Sequence, residues 1–213
     1  MTDAHCHVSD GDPSVREFLI GRDFLGVHPW DAASADVATV GAMLRAALAA
    51  GTARGVGEIG LDRLHARDIS AQMRALFETQ LAVAADVGCP VVLHGAKCWG
   101  QVVAAVRRLP TRPTGLLFHG FSRSAGLIPD IAALGGFMSV GPAVLNDHAV
   151  NYRNLVKAIP DACLLVETDR TEAGGVTVRE VLERTAALRG VTPAALEELT
   201  DANAARFWAG GAA

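Results

Sequence analysis

Short apolar runs alternate with longer amphipathic stretches along almost the whole chain, and this alternation restricts the fold more than any other feature. Eight runs have the length and character of buried strands: residues 3–8, 16–20, 24–28, 55–59, 90–94, 115–119, 136–140 and 163–168. Helical periodicity is found in residues 35–50, 69–87, 99–109, 124–134, 146–159, 176–188 and 193–208. Regular strand–helix alternation predicts right-handed βαβ units and a parallel sheet. Eight such strands predict an α/β fold, a TIM-type (β/α)8 barrel.

The first part of the chain departs from this pattern. Residues 9–15 form only a short polar stretch between the first two predicted strands, whereas parallel neighbours usually need a crossover of about a dozen residues or more. Either a loop replaces the first helix, or residues 16–20 are not a barrel strand. We therefore expect a barrel that is shortened or distorted near its first βα unit, and leave open whether it closes.

Composition places the chain among ordinary globular proteins. Half of its 213 residues are hydrophobic and 20% are charged, which excludes a disordered chain. The length predicts one domain, residues 1–209, with a loose tail at residues 210–213. The formal net charge of −4 argues against undirected binding to nucleic acid, which needs an excess of basic residues.

The sequence also indicates a cellular setting. The four cysteines have no CxxC spacing, the first residues lack a signal-peptide pattern, and no apolar run is long enough to span a bilayer. We expect reduced thiols, no membrane attachment and a cytoplasmic protein. No protein partner is indicated.

Residues with metal-binding side chains stand where the apolar runs end. His5 and His7 are two residues apart in the first predicted strand and therefore point to the same face. Glu58 lies in a glycine-rich apolar strand, where an unpaired carboxylate would be costly. The other residues of this kind are His94, His119 and Asp169. Because active-site residues of parallel barrels come from the carboxyl ends of several strands, we expect all of them to lie together.

Four histidines, one glutamate and one aspartate exceed what a single ion needs. They fit a two-metal site bridged by a carboxylate, in which the ions lie about 3.5–4 Å apart. Mixed imidazole and carboxylate ligands suit Zn²⁺ or Mn²⁺, whereas Mg²⁺ usually prefers more oxygen ligands. We therefore predict two divalent metal ions per chain, Zn²⁺, Mn²⁺ or Mg²⁺.

Seven segments add specificity to this interpretation. They are DAHCH (3–7), GVHPW (26–30), GVGEIGLD (55–62), CPVVLHG (89–95), FHGFSRS (118–124), ETD (167–169) and TDANAARFW (200–208). In this order they resemble the motifs of the TatD-related metal-dependent hydrolases, the TatD deoxyribonuclease family within the amidohydrolase-type barrels. The GVHPW segment is most similar to a short subgroup of that family.

The resemblance implies hydrolysis of phosphoester bonds, often in DNA, by metal-activated water. It implies that the two histidines of the first strand share one metal with Asp169, and that Glu58 bridges to a second metal held by His94 and His119. Asp169 and Glu58 are then the catalytic candidates, with Asp169 handling the proton of the attacking water. The resemblance also places His28 near the substrate phosphate; a core histidine is the alternative.

The chain departs from the family pattern around the substrate. It is shorter than typical members, and the missing part falls between His7 and Gly26. Gly95, Ala96 and Lys97 replace the serine, arginine and aspartate that many members carry after the fourth-ligand strand. The metal-binding positions are retained while the substrate loops differ, so metal binding is better supported than DNA as the substrate.

Basic residues closely follow the strand-end ligands. They are Arg63, Lys97, Arg123 and Arg170. On loops at the barrel mouth they would form a positive collar that attracts an anionic substrate despite the negative net charge. Solvated loop cations are the alternative.

Three further residues have two interpretations each. Asp3 shares the face of the first-strand histidines, so it either orients a histidine or is a buried structural carboxylate. Trp30 and Trp99 follow strand ends, where they stack on a nucleobase or, as we favour, fill the barrel rim.

Two other functions remain open. The same metal-activated water can hydrolyse an amide, a lactone or a carboxylic ester, and the fold does not determine the substrate. A non-catalytic metal-binding barrel is the third hypothesis.

Overall fold

A computed structural model describes residues 1–210 of the chain. The strands within these residues are β1 (Thr2–Cys6), β2 (Arg16–Leu19), β3 (Phe24–Leu25), β4 (Gly55–Asp62), β5 (Val91–Ala96), β6 (Leu116–Phe118), β7 (Phe137–Val140) and β8 (Leu164–Val166). The α-helices are α1 (Val37–Ala49), α2 (Ala71–Val87), α3 (Trp99–Arg108), α4 (Ile128–Ala133), α5 (Val150–Ala158), α6 (Val178–Arg189) and α7 (Pro193–Ala209). Every predicted strand and helix is found, with shifted ends. Of the predicted tail, Gly210 ends α7, and residues 211–213 lie outside the described residues.

The strands form a parallel ring. One sheet pairs β1 with β2, and the other runs in the order β3 to β8. A parallel bridge between Ile20 and Phe24 joins β2 to β3. On the other side, the amide of Asp169 donates to the carbonyl of His5 at 2.9 Å, which joins the end of β8 to β1. Backbone hydrogen bonds thus connect the two sheets at both seams, and the predicted α/β barrel is confirmed.

The barrel is distorted at its beginning, as expected. Within the described residues, β1 and β2 are joined by a loop, residues 7–15, and β2 and β3 by a tight turn, without α-helices. Strand β2 nevertheless pairs with β1 in parallel, with Thr2 opposite Arg16. Of the two interpretations of this segment, the first is therefore right: a loop takes the place of the first helix.

Helix α7 covers the end of the barrel where the strands begin. Its Phe207 lies inside the ring, with ring centroids 5.8 Å from Phe18 and 6.0 Å from Phe24. Gly115, just before β6, has no side chain because a Cβ there would lie 2.3 Å from the carbonyl oxygen of Phe207. The amino group of Met1 forms ion pairs with α7 as well. This packing leaves the opposite end of the barrel, where the strands end, open for a site.

Local signals fix several helix ends. The hydroxyl of Ser70 accepts a hydrogen bond from the amide of Met73 and begins α2, as expected of an N-cap serine. Thr192 caps α7, whose first residue is Pro193, as the Thr-Pro pair predicts. Gly88 ends α2 with a left-handed φ of 72°, a conformation that glycine adopts without steric cost.

All four cysteines are buried and free, and burial raises the pKa of Cys98 to about 11. No helix within residues 1–210 combines the length and the apolar character needed to cross a membrane.

Candidate metal centre

Glu58 lies at the centre of a histidine cluster at the carboxyl ends of the strands. Its Oε2 is 3.4 Å from Nε2 of His5 and 3.5 Å from Nε2 of His7. Its Oε1 is 2.6 Å from Nδ1 of His94 and 2.6 Å from Nε2 of His119. Each carboxylate oxygen therefore faces a different pair of imidazoles, as a carboxylate between two ions would.

Asp169 joins the half of the cluster that belongs to β1. Its Oδ1 lies 3.4 Å from Nε2 of His5 and 3.6 Å from Nε2 of His7. Its backbone has a φ of 52°, which is uncommon for a residue other than glycine and is typical of functional sites. The ligand atoms of His5, His7 and Glu58 lie within 4.8 Å of one another. The structure thus brings together all six residues that the sequence indicated as metal ligands.

The buried imidazoles have nitrogen atoms that fit metal coordination. His5 is fully buried, and among the described residues neither of its ring nitrogens has a hydrogen-bond partner. Leaving such atoms unpaired costs about 1–3 kcal/mol each, and a cation at Nε2 would remove part of that cost. The donor set of imidazoles and carboxylates is the chemistry that Zn²⁺ or Mn²⁺ takes. These residues therefore fit a divalent cation.

The electrostatics of the cluster point in the same direction. Although burial opposes it, the surrounding histidines hold the pKa of Glu58 well below its ordinary value. Hydrogen bonding to Asp169 and Glu58 raises the pKa of His7 to about 9. Burial lowers the pKa of His119, but Glu58 and Glu167 outweigh it and raise that pKa well above the ordinary value. The carboxylates therefore favour positive charge within the cluster. A metal ion would supply that charge in place of imidazole protons, because imidazoles that ligate a metal must be neutral.

His28 lies beside the second half of the cluster. Its Nε2 is 3.4 Å from Oε1 of Glu58, and its ligand atoms are close enough to those of Glu58 and His94 to share an ion with them. However, its Nδ1 accepts a hydrogen bond from the amide of Trp30 at 3.3 Å. A neutral imidazole that accepts at Nδ1 carries its proton on Nε2. This tautomer donates a hydrogen bond toward the site instead of ligating a metal.

Asp62 supports the cluster from behind, and sequence reasoning gave it no role. Its Oδ2 lies 3.0 Å from Nε2 of His94 and accepts a hydrogen bond from the indole Nε1 of Trp30 at 2.7 Å. Its Oδ1 accepts from the amides of Leu64 and His65. The available signal was its position at the end of the same apolar run that contains Glu58.

Glu167 plays a similar part beside His119. It is 1% exposed, accepts hydrogen bonds from the amide of Gly120 and the hydroxyl of Ser139, and places Oε1 3.6 Å from Nδ1 of His119. Sequence reasoning quoted this residue within the ETD motif without assigning it a role. It fixes the loop after β6 and places a buried carboxylate beside the imidazole.

Asp3 is a structural carboxylate. Its two oxygens accept hydrogen bonds from the amide and the hydroxyl of Thr168, at 2.9 and 2.6 Å. Burial raises its pKa to about 6. Its contacts therefore orient the segment that carries Asp169, and the alternative in which it orients an imidazole is not the one that the structure shows.

Two of the basic residues at the mouth have an unusual backbone. Lys97 and Arg123 are exposed and have φ values of 57° and 61°. Lys97 follows β5, which carries His94, and Arg123 follows β6, directly after which His119 lies. Arg63 follows β4 and is exposed as well. All three residues thus follow strands at the end of the barrel where we predicted the positive collar.

Arg170 is a correction. Its side chain is only 5% exposed, and its Nη2 lies 3.3 Å from Asp10 and 4.0 Å from Asp3. Its Nη1 lies 3.8 Å from Glu17. A guanidinium enclosed by three carboxylates cannot also attract substrate at the mouth. Arg170 instead ties the end of β8 to loop 7–15 and to β2.

The two tryptophans differ. Trp99 is buried against Phe118 and Phe121, which agrees with the favoured interpretation that it fills the rim. Trp30 is 56% exposed and its ring stacks on His65 at 4.9 Å between centroids. Trp30 thus lies exposed at the rim, where the hydrogen bond to Asp62 holds its indole, and both interpretations of this residue stay open.

Comparison with known proteins identifies relatives of this chain. The family model described as TatD related DNase matches residues 19–209. An uncharacterized metal-dependent hydrolase of Bacillus subtilis, YabD, is 27% identical over 165 residues, 72% of this chain and 64% of that protein. A 3′-5′ ssDNA/RNA exonuclease TatD of Cronobacter sakazakii is 30% identical over 198 residues, 86% of this chain and 75% of that protein.

A solved structure shares the fold. The Escherichia coli TatD homologue YjjV superposes with a TM-score of 0.85 at 22% identity, covering 98% of this chain and 97% of that chain. Against two of the curated relatives, however, the chain spans only 55–64% of their length. The match therefore does not show that this chain has the activities of those relatives.

Proposed function

This chain belongs to the TatD related DNase family, and from that membership and the geometry of its site we propose that it is a metal-dependent hydrolase of phosphoester bonds, a TatD-like deoxyribonuclease. The observation that carries the proposal is the division of Glu58 between two sets of imidazoles, Oε2 toward β1 and Oε1 toward β5 and β6. Residues 1–209 form one hydrolase barrel in this proposal.

The proposed centre holds two divalent ions, Zn²⁺, Mn²⁺ or Mg²⁺. His5, His7 and Asp169 hold the first, and His94 and His119 hold the second. Glu58, which lies between the two sets of imidazoles, would contribute to the binding of both ions. His94 faces Glu58 with Nδ1 and Asp62 with Nε2, which fixes the ring in the orientation that a ligand needs.

The ions, when bound, supply water of lowered pKa and positive charge for the phosphoryl oxygens. Asp169, whose side chain is 49% exposed, orients the attacking water and accepts its proton. The Nε2–H of His28 donates a hydrogen bond to a phosphoryl oxygen. The exposed Lys97, Arg123 and Arg63 attract the anionic substrate.

Nucleic acid is the substrate class that we propose. Two observations support it: the relatives include proteins named 3′-5′ ssDNA/RNA exonuclease, and exposed cations follow β4, β5 and β6, at whose carboxyl ends the cluster lies. Phosphodiesters are anionic, whereas neutral amides and lactones gain nothing from such cations.

Metal content of the purified protein tests the centre. We expect about two equivalents per chain by mass spectrometry, about one in His7→Asn and His94→Asn, and less than one in Glu58→Ala. Glu78→Ala, an exposed carboxylate on α2, is the control. Retention of both ions by Glu58→Ala would contradict the shared carboxylate.

Activity tests the bond that is cleaved. We expect the metal-loaded protein to hydrolyse bis(p-nitrophenyl) phosphate and single-stranded DNA, and to hydrolyse p-nitrophenyl acetate and lactones poorly. The reverse preference would establish a carboxylic ester or lactone hydrolase. If the metal-loaded protein hydrolysed none of these substrates, the chain would be a non-catalytic metal-binding barrel.

A further inference from the structure

Two ligands of the proposed first ion, His7 and Asp169, lie next to each other across the seam between β8 and β1. The amide of Asp169 donates a hydrogen bond to the carbonyl of His5 at 2.9 Å. One residue further along, the amides of His7 and Val8 donate to the carbonyl of Arg170 at 2.8 and 3.1 Å. Arg170 therefore follows one ligand directly in the chain and binds the other through its backbone, so a displacement of its backbone would move both ligands.

The side chain of Arg170 is fastened to the part of the chain that follows β1. It is 5% exposed, and its guanidinium lies 3.3 Å from Oδ2 of Asp10 and 3.8 Å from Oε1 of Glu17. Glu17 in turn accepts hydrogen bonds from the amide of Asp10 at 2.6 Å and from the hydroxyl of Ser9 at 2.5 Å. The guanidinium thus holds loop 7–15 and β2 against the end of β8.

These polar contacts stand where a regular βα unit has a packed helix. In a complete barrel each strand is followed by a helix of the outer ring, whereas residues 7–15 form a loop in which residues 9–14 are exposed. Those exposed residues bury little apolar surface. Hydrogen bonds between ionised groups are roughly twice as strong as neutral ones, and the arginine side chain presents its donors in a rigid fork. We therefore expect the position of this loop to depend on the guanidinium of Arg170.

Asp169 needs such support more than an ordinary ligand does. Its φ of 52° is a left-handed conformation, which persists in a residue other than glycine only when the surrounding structure maintains it. Its side chain is 49% exposed, so packing does little to hold it. On its amino side, Asp3 accepts hydrogen bonds from the amide and the hydroxyl of Thr168. On its carboxyl side, the corresponding support is the enclosed guanidinium of Arg170.

We propose that Arg170 is a positioning residue for the first ion. Its guanidinium, anchored by loop 7–15 and β2, keeps Asp169 and His7 in the positions from which they ligate, and it acts only through these two residues. The inference rests on the proposed function, which assigns both of them to that ion. Loop 7–15 thereby serves the metal centre from a distance, although it contributes no ligand after His7.

The second position provides an internal reference. His94 has Asp62 behind it, and His119 has Glu167 beside it. These contacts involve neither loop 7–15 nor β2. Loss of the guanidinium should therefore weaken binding of the first ion and leave the second ion bound as in wild type.

Calorimetric titration with Mn²⁺ tests the proposal one position at a time. His94→Asn leaves only the first position intact, and His7→Asn leaves only the second. In the His94→Asn protein we expect Arg170→Met to raise the Kd for Mn²⁺ at least about tenfold, the usual effect of removing a residue that supports metal ligands. In the His7→Asn protein the same change should leave the Kd unchanged.

Two further variants separate positioning from general stability. Asp10→Asn, in the exposed loop, removes one anchor of the guanidinium and decides the question if Arg170→Met folds poorly. It should raise the Kd of the first position by a smaller factor. Arg189→Met is the structural control, because this guanidinium is 12% exposed, pairs with Asp161 and donates to the carbonyl of Val156 in α5. It should lower Tm as Arg170→Met does, but leave the Kd of both positions unchanged.

Three results overturn the proposal: equal weakening of both positions by Arg170→Met, an unchanged Kd of the first position in both Arg170→Met and Asp10→Asn, or a rise in Kd in Arg189→Met as large as that in Arg170→Met. The titration needs no substrate. Wild-type protein that binds two ions but hydrolyses no phosphodiester would therefore overturn the proposed function alone, while the titration still decides the part of Arg170. Wild-type protein that binds no ion overturns both.

Discussion

Asp62 holds His94 from the side opposite to Glu58: Nε2 of the imidazole lies 3.0 Å from Oδ2 of Asp62, and Nδ1 lies 2.6 Å from Oε1 of Glu58. A carboxylate behind a ligating imidazole fixes its tautomer and raises its basicity. The same oxygen of Asp62 binds the indole of Trp30. One buried carboxylate thus links the exposed rim of the barrel to the proposed second ion.

The first prediction follows from that contact. Asp62→Asn should lower metal affinity or kcat/KM by roughly 10- to 100-fold, the usual effect of removing such a partner. The loss should fall on one of the two ions, which metal titration by calorimetry resolves. Asp68→Asn, an exposed aspartate on the following loop, is the matched control. Equal loss of both ions would indicate general unfolding of the site instead.

The second prediction concerns pH. The pKa of His7 is raised from its ordinary value of 6.5 to about 9, chiefly by Asp169. Because the folded state holds this proton more tightly, its stabilising contribution is complete below pH 6.5 and is lost as pH rises through 9. The Tm of the metal-free protein should therefore decrease as pH rises from 6.5 to 9, and it should decrease less steeply in His7→Gln. Calorimetry with chelator present measures both slopes, with His65→Gln as control; parallel slopes would contradict the assignment.

The third prediction concerns the cations at the mouth. Lys97→Gln should raise KM for a DNA oligonucleotide roughly two- to fivefold, as expected of one exposed charge, and should reduce the dependence of KM on salt. Arg45→Gln removes an exposed cation that pairs with Asp86 between α1 and α2. That control should leave both quantities unchanged. If the two variants behave alike, Lys97 is an ordinary solvated cation.

The fourth prediction separates Arg170 from these residues. Arg170→Met leaves Asp10, Asp3 and Glu17 without their cation, and breaking a buried pair in this way costs about 3 kcal/mol. For a chain of this length we expect Tm to fall by about 10 °C. Arg184→Met, which breaks a more exposed pair with Asp147, should lower Tm much less. If Arg170→Met had a normal Tm but a raised KM, Arg170 would belong to the positive collar after all.

Most of the candidate site could be predicted from the polar residues at the strand ends. His5, Glu58 and His119 stood out because polar side chains ended apolar runs, and parallel strands end at one side of a barrel. The prediction for Arg170 was wrong because its position in the chain resembles that of Lys97, while its burial depends on Asp10 in loop 7–15 and on Glu17 in β2. That burial could not be predicted, because the shape of the loop depends on tertiary contacts.

The seam between β1 and β8 has a consequence for the chain as it is being made. Asp3 and Thr168 are 165 residues apart, so the contacts that bring Asp169 to His5 form only after all residues up to Asp169 have been synthesised. Contacts of such separation are slow to form and carry a large closure entropy. A nascent chain already contains His5, His7 and Glu58 but lacks the carboxylate that completes their site. In the proposed function, the site for the first ion is therefore complete only after Asp169 has joined the fold.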